Sequence, residues 1–309
     1  MKAVYIINGF LESGKTEFIT FTMQQPYFQT KGKTLLLLCE EGENEYDEAL
    51  LKQTNTVLEI IEEKEDFNSS HLLELEKKHK PERIIIEYNG MWPYKDLKLP
   101  WHWKIGQQVT VIDASTFPMY YNNMRSMIGD MVRKSELIIF NRCDGIKDLA
   151  SYKRNMMALN RSAEIVFEDK DGEVSATMEE ELPYDVNADV IELTEKSYAI
   201  WFFDMLDTPD RYEGKVVKFL ATVVKPDGFP EGHFVPGRSA MTCCADDIAF
   251  LGFVSKWKDA KQYKSGDWVT VTAVVKHEYW ADYNGVGPVL YATEVTSAKA
   301  PKEEVLNLV

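Results

Sequence analysis

The stretch YIINGFLESGKT, residues 5–16, carries a strong structural signal. Residues 9–16 fit the pattern G-x-x-x-x-G-K-S/T, and they lie between an apolar run that predicts a strand and an amphipathic run that predicts a helix. Glycines let backbone N–H groups surround a phosphate, Lys15 supplies a cation, and Thr16 supplies a hydroxyl for Mg²⁺. The alternative, an accidental glycine turn, does not account for strand, loop and helix all being in register. We therefore predict a phosphate loop that binds through Gly9, Glu12, Ser13, Gly14, Lys15 and Thr16.

Around this loop, from residue 1 to 169, short aliphatic runs alternate with amphipathic stretches. This order is typical of βαβ units in a parallel sheet. The predicted strands are 3–8, 34–39, 83–87, 108–113, 136–141 and 164–167, and the predicted helices are 15–25, 68–79, 124–134 and 149–159. We predict an α/β, doubly wound P-loop domain.

The remainder of the chain has a different character. Residues 170–206 form an acidic linker that ends in an apolar segment, which predicts a connecting helix. Within residues 207–309, strands are predicted at 215–224, 237–244, 248–256, 268–276 and 289–296. Five short strands separated by turn residues favour a small all-β barrel of the OB-like type.

Composition limits the function classes. A chain of 309 residues fits two domains, and 50 acidic against 35 basic residues give a net charge of −15. Such a charge repels phosphate backbones, so we expect no nucleic-acid partner. No apolar run approaches the roughly 20 residues of a transmembrane helix. The start of the chain predicts a strand and not a signal peptide, and the four cysteines do not suggest a disulfide framework, so we expect a cytoplasmic protein.

A carboxylate at the end of a neighbouring strand is expected to hold Mg²⁺ or its water shell. Glu87 ends the apolar run IIIE, and Gly90 follows it with a backbone N–H that can face a γ-phosphate. An acid that merely ends a strand is the alternative reading.

The stretch NRCD, residues 141–144, follows another apolar strand, where a nucleotide base lies in such a sheet. Asp144 can accept hydrogen bonds from the ring N–H and amino group of guanine, a donor pair that adenine lacks. We therefore expect GTP and GDP as ligands, bound also by Asn141 and Arg142. Asp144 acting only as a helix cap is the plainer alternative.

Taken together, residues 9–16, 84–90, 110–114 and 141–144 resemble the nucleotide-binding domain of the CobW-type GTPases, over about the first half of the chain. That family is linked to metal-centre assembly and metal homeostasis. Residues 39–47, CEEGENEYD, resemble its N-E-x-G-x-x-x-x-D switch segment, with Cys39 in place of Asn. The resemblance implies that Glu40 and Asp47 lie near Mg²⁺ or its waters, and that Lys15, Thr16, Glu40 and Glu87 carry catalysis.

Two departures from the family pattern stand out. Arg142 occupies the position of the family's Lys, and its side chain is longer and planar. The family's C-x-C-C metal motif is absent, since residues 40–142 contain no cysteine.

From residue 212 to 302 the chain resembles the C-terminal module of the YcgQ-type proteins, which are partners of a predicted membrane permease. The shared segments are FVPGR, residues 234–238, and TCCA, residues 242–245. Cys243 and Cys244 are candidate ligands for Zn²⁺ or another soft metal, which requires further converging donors. His233, Asp246, Asp247 or His277 could supply them. Adjacent residues of a strand face opposite ways, so the two thiols are equally well explained as packing residues.

Two functions fit these features. The first is a Mg²⁺-dependent GTPase that acts on metal homeostasis through its second domain, with a metalloprotein client and a nucleotide-dependent homodimer among its expected partners. The second is a non-catalytic adaptor that is stabilised by nucleotide and docks on a membrane permease or another protein. GTP turnover separates the two.

Overall fold

The structure, a computed structural model, describes residues 2–175, 182–242 and 247–308. The chain divides into two compact units, with the boundary between Ala176 and Thr177. Each unit has its own sheet.

The first unit is a mainly parallel sheet with helices on both faces. Its strands are β1 Lys2–Asn8, β2 Thr34–Leu38, β3 Thr56–Ile60, β4 Arg83–Glu87, β5 Trp103–Asp113, β6 Leu137–Asn141, β7 Glu164–Asp169 and β8 Gly172–Val174. Its helices are α1 Lys15–Gln24, α2 Glu48–Gln53, α3 Ser69–His79, α4 Phe117–Asn123, α5 Arg125–Val132 and α6 Leu149–Leu159. The strand order is β3-β2-β4-β1-β5-β6-β7-β8, and every neighbouring pair is parallel except β7 with β8. The predicted α/β P-loop domain is confirmed.

Four elements of this unit were not predicted, namely β3, β8, α2 and α4. Strand β8 has only three residues and lies where the acidic linker was expected to begin. Strand β3 pairs only with β2 at the edge of the sheet, and most of its side chains are half-buried, so it lacks the continuous apolar run of a central strand. Helix α2 has six residues, too few for a clear periodic pattern. Helix α4 ends at Asn123 directly before α5, where only one helix was predicted.

The central strands β1, β2 and β4 are buried on both faces, as their uninterrupted aliphatic sequences require. In the register of these parallel strands, Ile7 lies beside Glu87, and Leu38 lies beside Glu87 on the other side. Asp113 at the end of β5 lies beside Asn141 at the end of β6. The loops that follow these strands therefore emerge at one edge of the sheet, which is where an α/β sheet forms its site.

A buried polar network holds the end of β1, from which the phosphate loop starts. Asn8 is fully buried, donates to the Met131 carbonyl over 3.3 Å, and accepts from Thr110 over 2.5 Å. Gln108 also donates to the Met131 carbonyl, over 2.9 Å. These side chains satisfy a carbonyl at the end of α5, which has no partner within its own helix. These buried hydrogen bonds therefore hold in place the strand end from which the phosphate loop starts.

The second unit combines one long helix with a second sheet. Helix α7 spans Glu195–Asp207 and begins with a capping box between Thr194 and Ser197. The strands are β9 Ile191–Glu192, β10 Val216–Val224, β11 His233–Met241, β12 Ile248–Gly252, β13 Ser255–Lys256, β14 Trp268–Trp280, β15 Gly285–Ser297 and β16 Val305–Asn307. Five of them pair in a closed ring, β10-β11-β13-β15-β14 and back to β10, in which only β13 with β15 is parallel.

These elements differ in detail from the expected ones. The run expected as one strand at 248–256 is divided into β12 and β13, and the hairpin strands β14 and β15 extend beyond their expected ends. The helix expected as a connector packs within the second unit, where the Trp201 ring lies 5.3 Å from Phe219 and 5.6 Å from Phe253. Its apolar residues are therefore core residues of this unit. The end of the strand expected at 237–244 lies outside the described residues.

We predict that Trp201→Ala destabilises the second unit by about 3–5 kcal/mol, because a fully buried aromatic ring leaves a cavity. Differential scanning calorimetry of the full chain measures this. Tyr279→Ala, which removes a ring that is 67% exposed, is the control and should change stability by no more than about 0.5 kcal/mol. Equal effects of the two substitutions would contradict the packing of α7 described above.

Candidate functional site

Residues 9–16 form a tight loop between β1 and α1. Its geometry requires glycine at two positions, one within the loop and one in the segment after β4. Gly14 has a φ of +96° and stands at the N-terminal cap of α1. A Cβ on Gly90 would collide with the carbonyl oxygen of Gly9, so the loop after β4 lies directly against the phosphate loop. The N–H groups of the first turn of α1 have no partners within the helix and can face an anion.

Lys15 lies at the centre of the site, and its side chain is only 3% exposed. Its Nζ donates to the carbonyl oxygens of Gly9 over 3.0 Å and Phe10 over 2.9 Å, and to Glu40 Oε2 over 2.8 Å. The Glu40 side chain is 9% exposed, so this ion pair is almost shielded from water. Glu40 is the only anionic partner of Lys15 among the described residues.

The carboxylate of Glu87 is held at both of its oxygens. Thr16 Oγ1 donates to Glu87 Oε1 over 2.9 Å, and the Tyr46 hydroxyl donates to Glu87 Oε2. Burial raises the pKa of Glu87 above its usual value, and the hydrogen bond from Tyr46 and the charge of Lys15 offset part of that rise. Burial and the neighbouring Glu87 likewise raise the pKa of Tyr46, so its phenol keeps its proton and donates.

Residues 39–47, the switch segment, lie over the phosphate loop. Besides the Glu40 ion pair, the Glu43 N–H donates to Glu12 Oε1 over 2.7 Å, and Asn44 donates to Glu17 Oε1 over 3.2 Å. The space enclosed by these segments beside Lys15, Thr16 and Glu87 is about 20 Å³. Such a space has room for about one water molecule.

The stretch expected to face a base is tied to the phosphate loop. Asn141 donates to the Ser13 carbonyl over 2.8 Å, and Arg142 donates to the Glu12 carbonyl over 2.8 Å. Arg142 also forms an ion pair of 2.7 Å with Asp113. Burial alone would raise the pKa of Asp113, but the hydrogen bonds from Ser115 and Arg142 hold it below its usual value. Arg142 is therefore fixed beside the loop.

Two of the predicted site residues, Asp47 and Asp144, are exposed. Asp47 caps α2 by accepting a hydrogen bond of 2.8 Å from the Ala49 N–H, because an Asp that precedes a helix satisfies its free N–H groups. Its position near Mg²⁺ stays a prediction. Asp144 lies exposed in the turn after β6, with its carboxylate accessible to a ligand.

The residues present fit a nucleotide with Mg²⁺. The hydroxyl of Ser13 and the side-chain oxygen of Asn141 are buried beside the loop and have no hydrogen-bond partner among the described residues, which is expected of groups that a ligand satisfies. Thr16 and Glu87 together offer oxygen donors only, and Mg²⁺ prefers such donors.

The soft-metal prediction concerns the second unit. Cys243 and Cys244 lie outside the described residues. His233 is described, and its Nδ1 lies 2.8 Å from the Glu231 carbonyl oxygen. Within residues 2–175, 182–242 and 247–308, no three His, Cys, Asp or Glu side chains form a group that could hold a metal ion. The described cysteines, Cys39 and Cys143, are buried free thiols whose pKa values burial raises, to about 11 for Cys143.

A second, larger cavity of about 280 Å³ adjoins the phosphate loop. It is lined by loop residues 9–13, by Arg142 and by side chains of β5, α4 and α5. Lys15, Thr16 and Glu87 line the smaller space instead. The predicted nucleotide ligands Gly9, Glu12, Ser13 and Arg142 therefore border the larger cavity.

None of the helices in the described part of the chain is long and apolar enough to cross a membrane.

Comparison with protein families gives two matches. Residues 3–167 match the CobW/HypB/UreG nucleotide-binding domain, which is more than half of the chain. The chain belongs to this family. Residues 169–306 match the DUF1980 C-terminal domain. The family resemblance inferred from residues 9–16, 84–90, 110–114 and 141–144 is thereby confirmed.

Solved structures similar to this CobW/HypB/UreG-family chain include the hydrogenase maturation factor HypB from Archaeoglobus fulgidus. That protein is 18% identical, with 55% of this chain and 82% of the other covered and a TM-score of 0.42. The Zn(II)-bound YjiA GTPase from E. coli is 15% identical, with 82% and 87% covered and a TM-score of 0.41. HypB from Helicobacter pylori in complex with nickel is 15% identical, with 54% and 80% covered and a TM-score of 0.40. No curated protein sequence matches the chain significantly.

Two residues of the site, Tyr46 and Asp113, were not predicted as functional residues from the sequence. Tyr46 lies within the switch segment, but only the structure brings its hydroxyl to Glu87, 41 residues away. Asp113 lies in the strand motif of residues 110–114, and only the pairing of β5 with β6 brings it to Arg142. An acid at the end of a predicted strand was the available signal for Asp113.

We predict that Glu40→Gln increases the affinity of this chain for GDP about tenfold. The reason is that phosphate oxygens no longer compete with a carboxylate for Lys15. Isothermal titration calorimetry measures the affinity. Glu41→Gln removes the same formal charge from an exposed neighbour and controls for net charge. Unchanged or weaker GDP binding in Glu40→Gln would show that the buried ion pair does not oppose the ligand.

Proposed function

We propose that this chain is a Mg²⁺-dependent GTPase of the CobW type. The observation that carries the proposal is the convergence of Lys15, Thr16 and Glu87 beneath a glycine-rich loop that opens α1. Family membership over residues 3–167 supports it, because the CobW/HypB/UreG proteins are P-loop GTPases.

In this proposal, catalysis consists of holding and neutralising the phosphates rather than of covalent chemistry. Lys15 holds the β- and γ-phosphate oxygens, and the backbone N–H groups of the loop, with Gly90, surround them. Glu40 is displaced from Lys15 by the incoming phosphate and remains beside it. It is our candidate for the carboxylate that orients the attacking water.

Thr16 and Glu87 would hold Mg²⁺, directly or through its waters. When bound, the ion neutralises charge that develops on the phosphates. Asp47 remains a further candidate only if the switch segment rearranges, because its carboxylate caps α2 in this structure.

Guanine selection is proposed for Asp144. Its carboxylate offers two adjacent acceptors for the two adjacent donors of guanine, while Asn141 and Arg142 keep this segment against the phosphate loop. The ion pair of Arg142 with Asp113 supports the view that Arg can replace the family's Lys here.

The second unit is proposed to be an OB-like barrel that links nucleotide state to metal homeostasis or metal-centre assembly. The closed ring of five strand pairings supports the barrel. A metalloprotein client, a membrane permease partner, a nucleotide-dependent homodimer, a cytoplasmic location and a soft-metal site at Cys243, Cys244 and His233 stay predictions.

We predict that Lys15→Ala weakens GTP binding at least about a hundredfold, because charge-assisted hydrogen bonds to two phosphate groups are lost. Calorimetric titration with GTP and Mg²⁺ measures the loss. Lys31→Ala, at an exposed position, is the charge-matched control. The double variant Lys15→Ala/Glu40→Gln should bind as weakly as Lys15→Ala, while it leaves no buried carboxylate unpaired.

Normal GTP binding by Lys15→Ala would refute the phosphate-loop assignment. Steady-state phosphate release by the unsubstituted chain separates the two functions considered. A GTPase releases phosphate in a Mg²⁺-dependent manner, whereas an adaptor binds GTP without releasing phosphate.

We predict that Asp144→Asn lowers the affinity for GTP and raises that for xanthosine triphosphate, because the substitution exchanges one acceptor for a donor. Competition of GTP, xanthosine triphosphate and ATP against a fluorescent guanine nucleotide measures both changes. Equal competition by ATP and GTP in the unsubstituted chain would rule out guanine specificity.

A further inference from the structure

The carboxylate of Glu87 has a partner at each oxygen, and the two partners belong to different segments. Thr16, which donates to Oε1, belongs to α1 and the phosphate loop. Tyr46, which donates to Oε2, belongs to the switch segment, residues 39–47. Glu87 itself is 2% exposed. Because water is excluded from this carboxylate, its orientation is decided by these two hydroxyls.

Tyr46 is held in place independently of Glu87. Its side chain is 8% exposed and belongs to an apolar cluster that includes Ile19, Leu36 and Leu50. The next residue, Asp47, caps α2, so the backbone on one side of Tyr46 is fixed by a helix. Packing therefore sets the position of the ring, and the ring presents its hydroxyl to the carboxylate.

The two hydrogen bonds set which oxygen of Glu87 faces the proposed ion. Tyr46 holds Oε2, whereas Oε1 lies beside the Thr16 hydroxyl that is the proposed Mg²⁺ ligand. Without the Tyr46 hydroxyl, a buried carboxylate oxygen has no donor, and the carboxyl group is free to rotate away from Thr16. The geometry of the Thr16–Glu87 pair then loses its support.

We propose that Tyr46 is a positioning residue of the Mg²⁺ site, whose phenol fixes the Glu87 carboxylate so that Oε1 stays turned towards Thr16. This inference rests on the proposed function, since it requires Mg²⁺ beside Thr16. The switch segment would then contact both parts of the site. Its Tyr46 holds the Glu87 carboxylate beside the ion, and its Glu40 forms the ion pair with Lys15.

The test is the release of a fluorescent GDP, N-methylanthraniloyl-GDP, from the full chain after addition of excess unlabelled GDP. Release is followed once with saturating Mg²⁺ and once with EDTA. The variant is Tyr46→Phe, which keeps the packed ring and removes only the hydroxyl. Tyr94→Phe is the matched control, because Tyr94 is 6% exposed and its buried hydroxyl has no hydrogen-bond partner in the part of the chain that the structure describes.

We expect Mg²⁺ to slow release from the unsubstituted chain. In Tyr46→Phe, release in Mg²⁺ should be faster by about tenfold, the effect of losing a hydrogen bond to a charged group. Its release in EDTA should be unchanged, because the phosphate contacts do not involve Tyr46. Tyr94→Phe should match the unsubstituted chain in both conditions.

Equal rates for Tyr46→Phe and the unsubstituted chain in Mg²⁺ would overturn the inference. Faster release in Mg²⁺ and EDTA alike would also overturn it, because a general loosening of the core does not depend on the ion. If the unsubstituted chain binds the fluorescent GDP but Mg²⁺ does not change its release rate, the proposed Mg²⁺ site is refuted, and the role of Tyr46 with it. If it binds none, the proposed function itself fails.

Discussion

The ammonium of Lys15 must have an anionic partner, and the arrangement of the site follows from that need. A charge that is 97% removed from water is costly unless it is paired and hydrogen-bonded, and here two carbonyls and the Glu40 carboxylate meet that cost. The carbonyls come from the phosphate loop itself, so the loop conformation and the lysine position depend on each other. A phosphate carries negative charge and acceptor oxygens, as Glu40 does, so it can take the place of Glu40 on Lys15.

The switch segment connects this exchange to the rest of the first unit. It contacts the phosphate loop through Glu40 and Glu43, and Glu87 through Tyr46. In the proposed function, phosphate would displace Glu40 at one end of the segment, and Mg²⁺ would lie beside the Glu87 carboxylate that Tyr46 contacts at the other. The bound nucleotide would then favour a different arrangement of the segment, because a ligand shifts a conformational equilibrium by its differential contacts.

Much of this first unit could be predicted because its signals are local. The pattern of residues 9–16 specifies a strand, a loop and a helix at once, and the run IIIE reports both a buried strand and its terminal acid. Contacts between segments that are distant in sequence leave no local sequence pattern. Nothing in the sequence around Tyr46 distinguishes a phenol that reaches Glu87 from one that only packs.

Competing local chemistry explains the other differences. An Asp before a helix serves equally as an ion ligand and as a cap, and at Asp47 the structure shows the cap. In the second unit, the strand pattern predicted β strands well, but the pairing of β13 with β15 in parallel depends on long-range register. The apolar helix α7 was separated from this unit because its residues read as a connector, whereas burial of Trp201 and Tyr198 makes it part of the core.

A crystal structure of the full chain with GDP and Mg²⁺ would show whether phosphate replaces Glu40 on Lys15. We expect a β-phosphate oxygen within hydrogen-bond distance of Lys15 Nζ, Glu40 displaced from Lys15, and the guanine facing Asp144. A nucleotide bound elsewhere while the Lys15–Glu40 ion pair persists would refute this exchange.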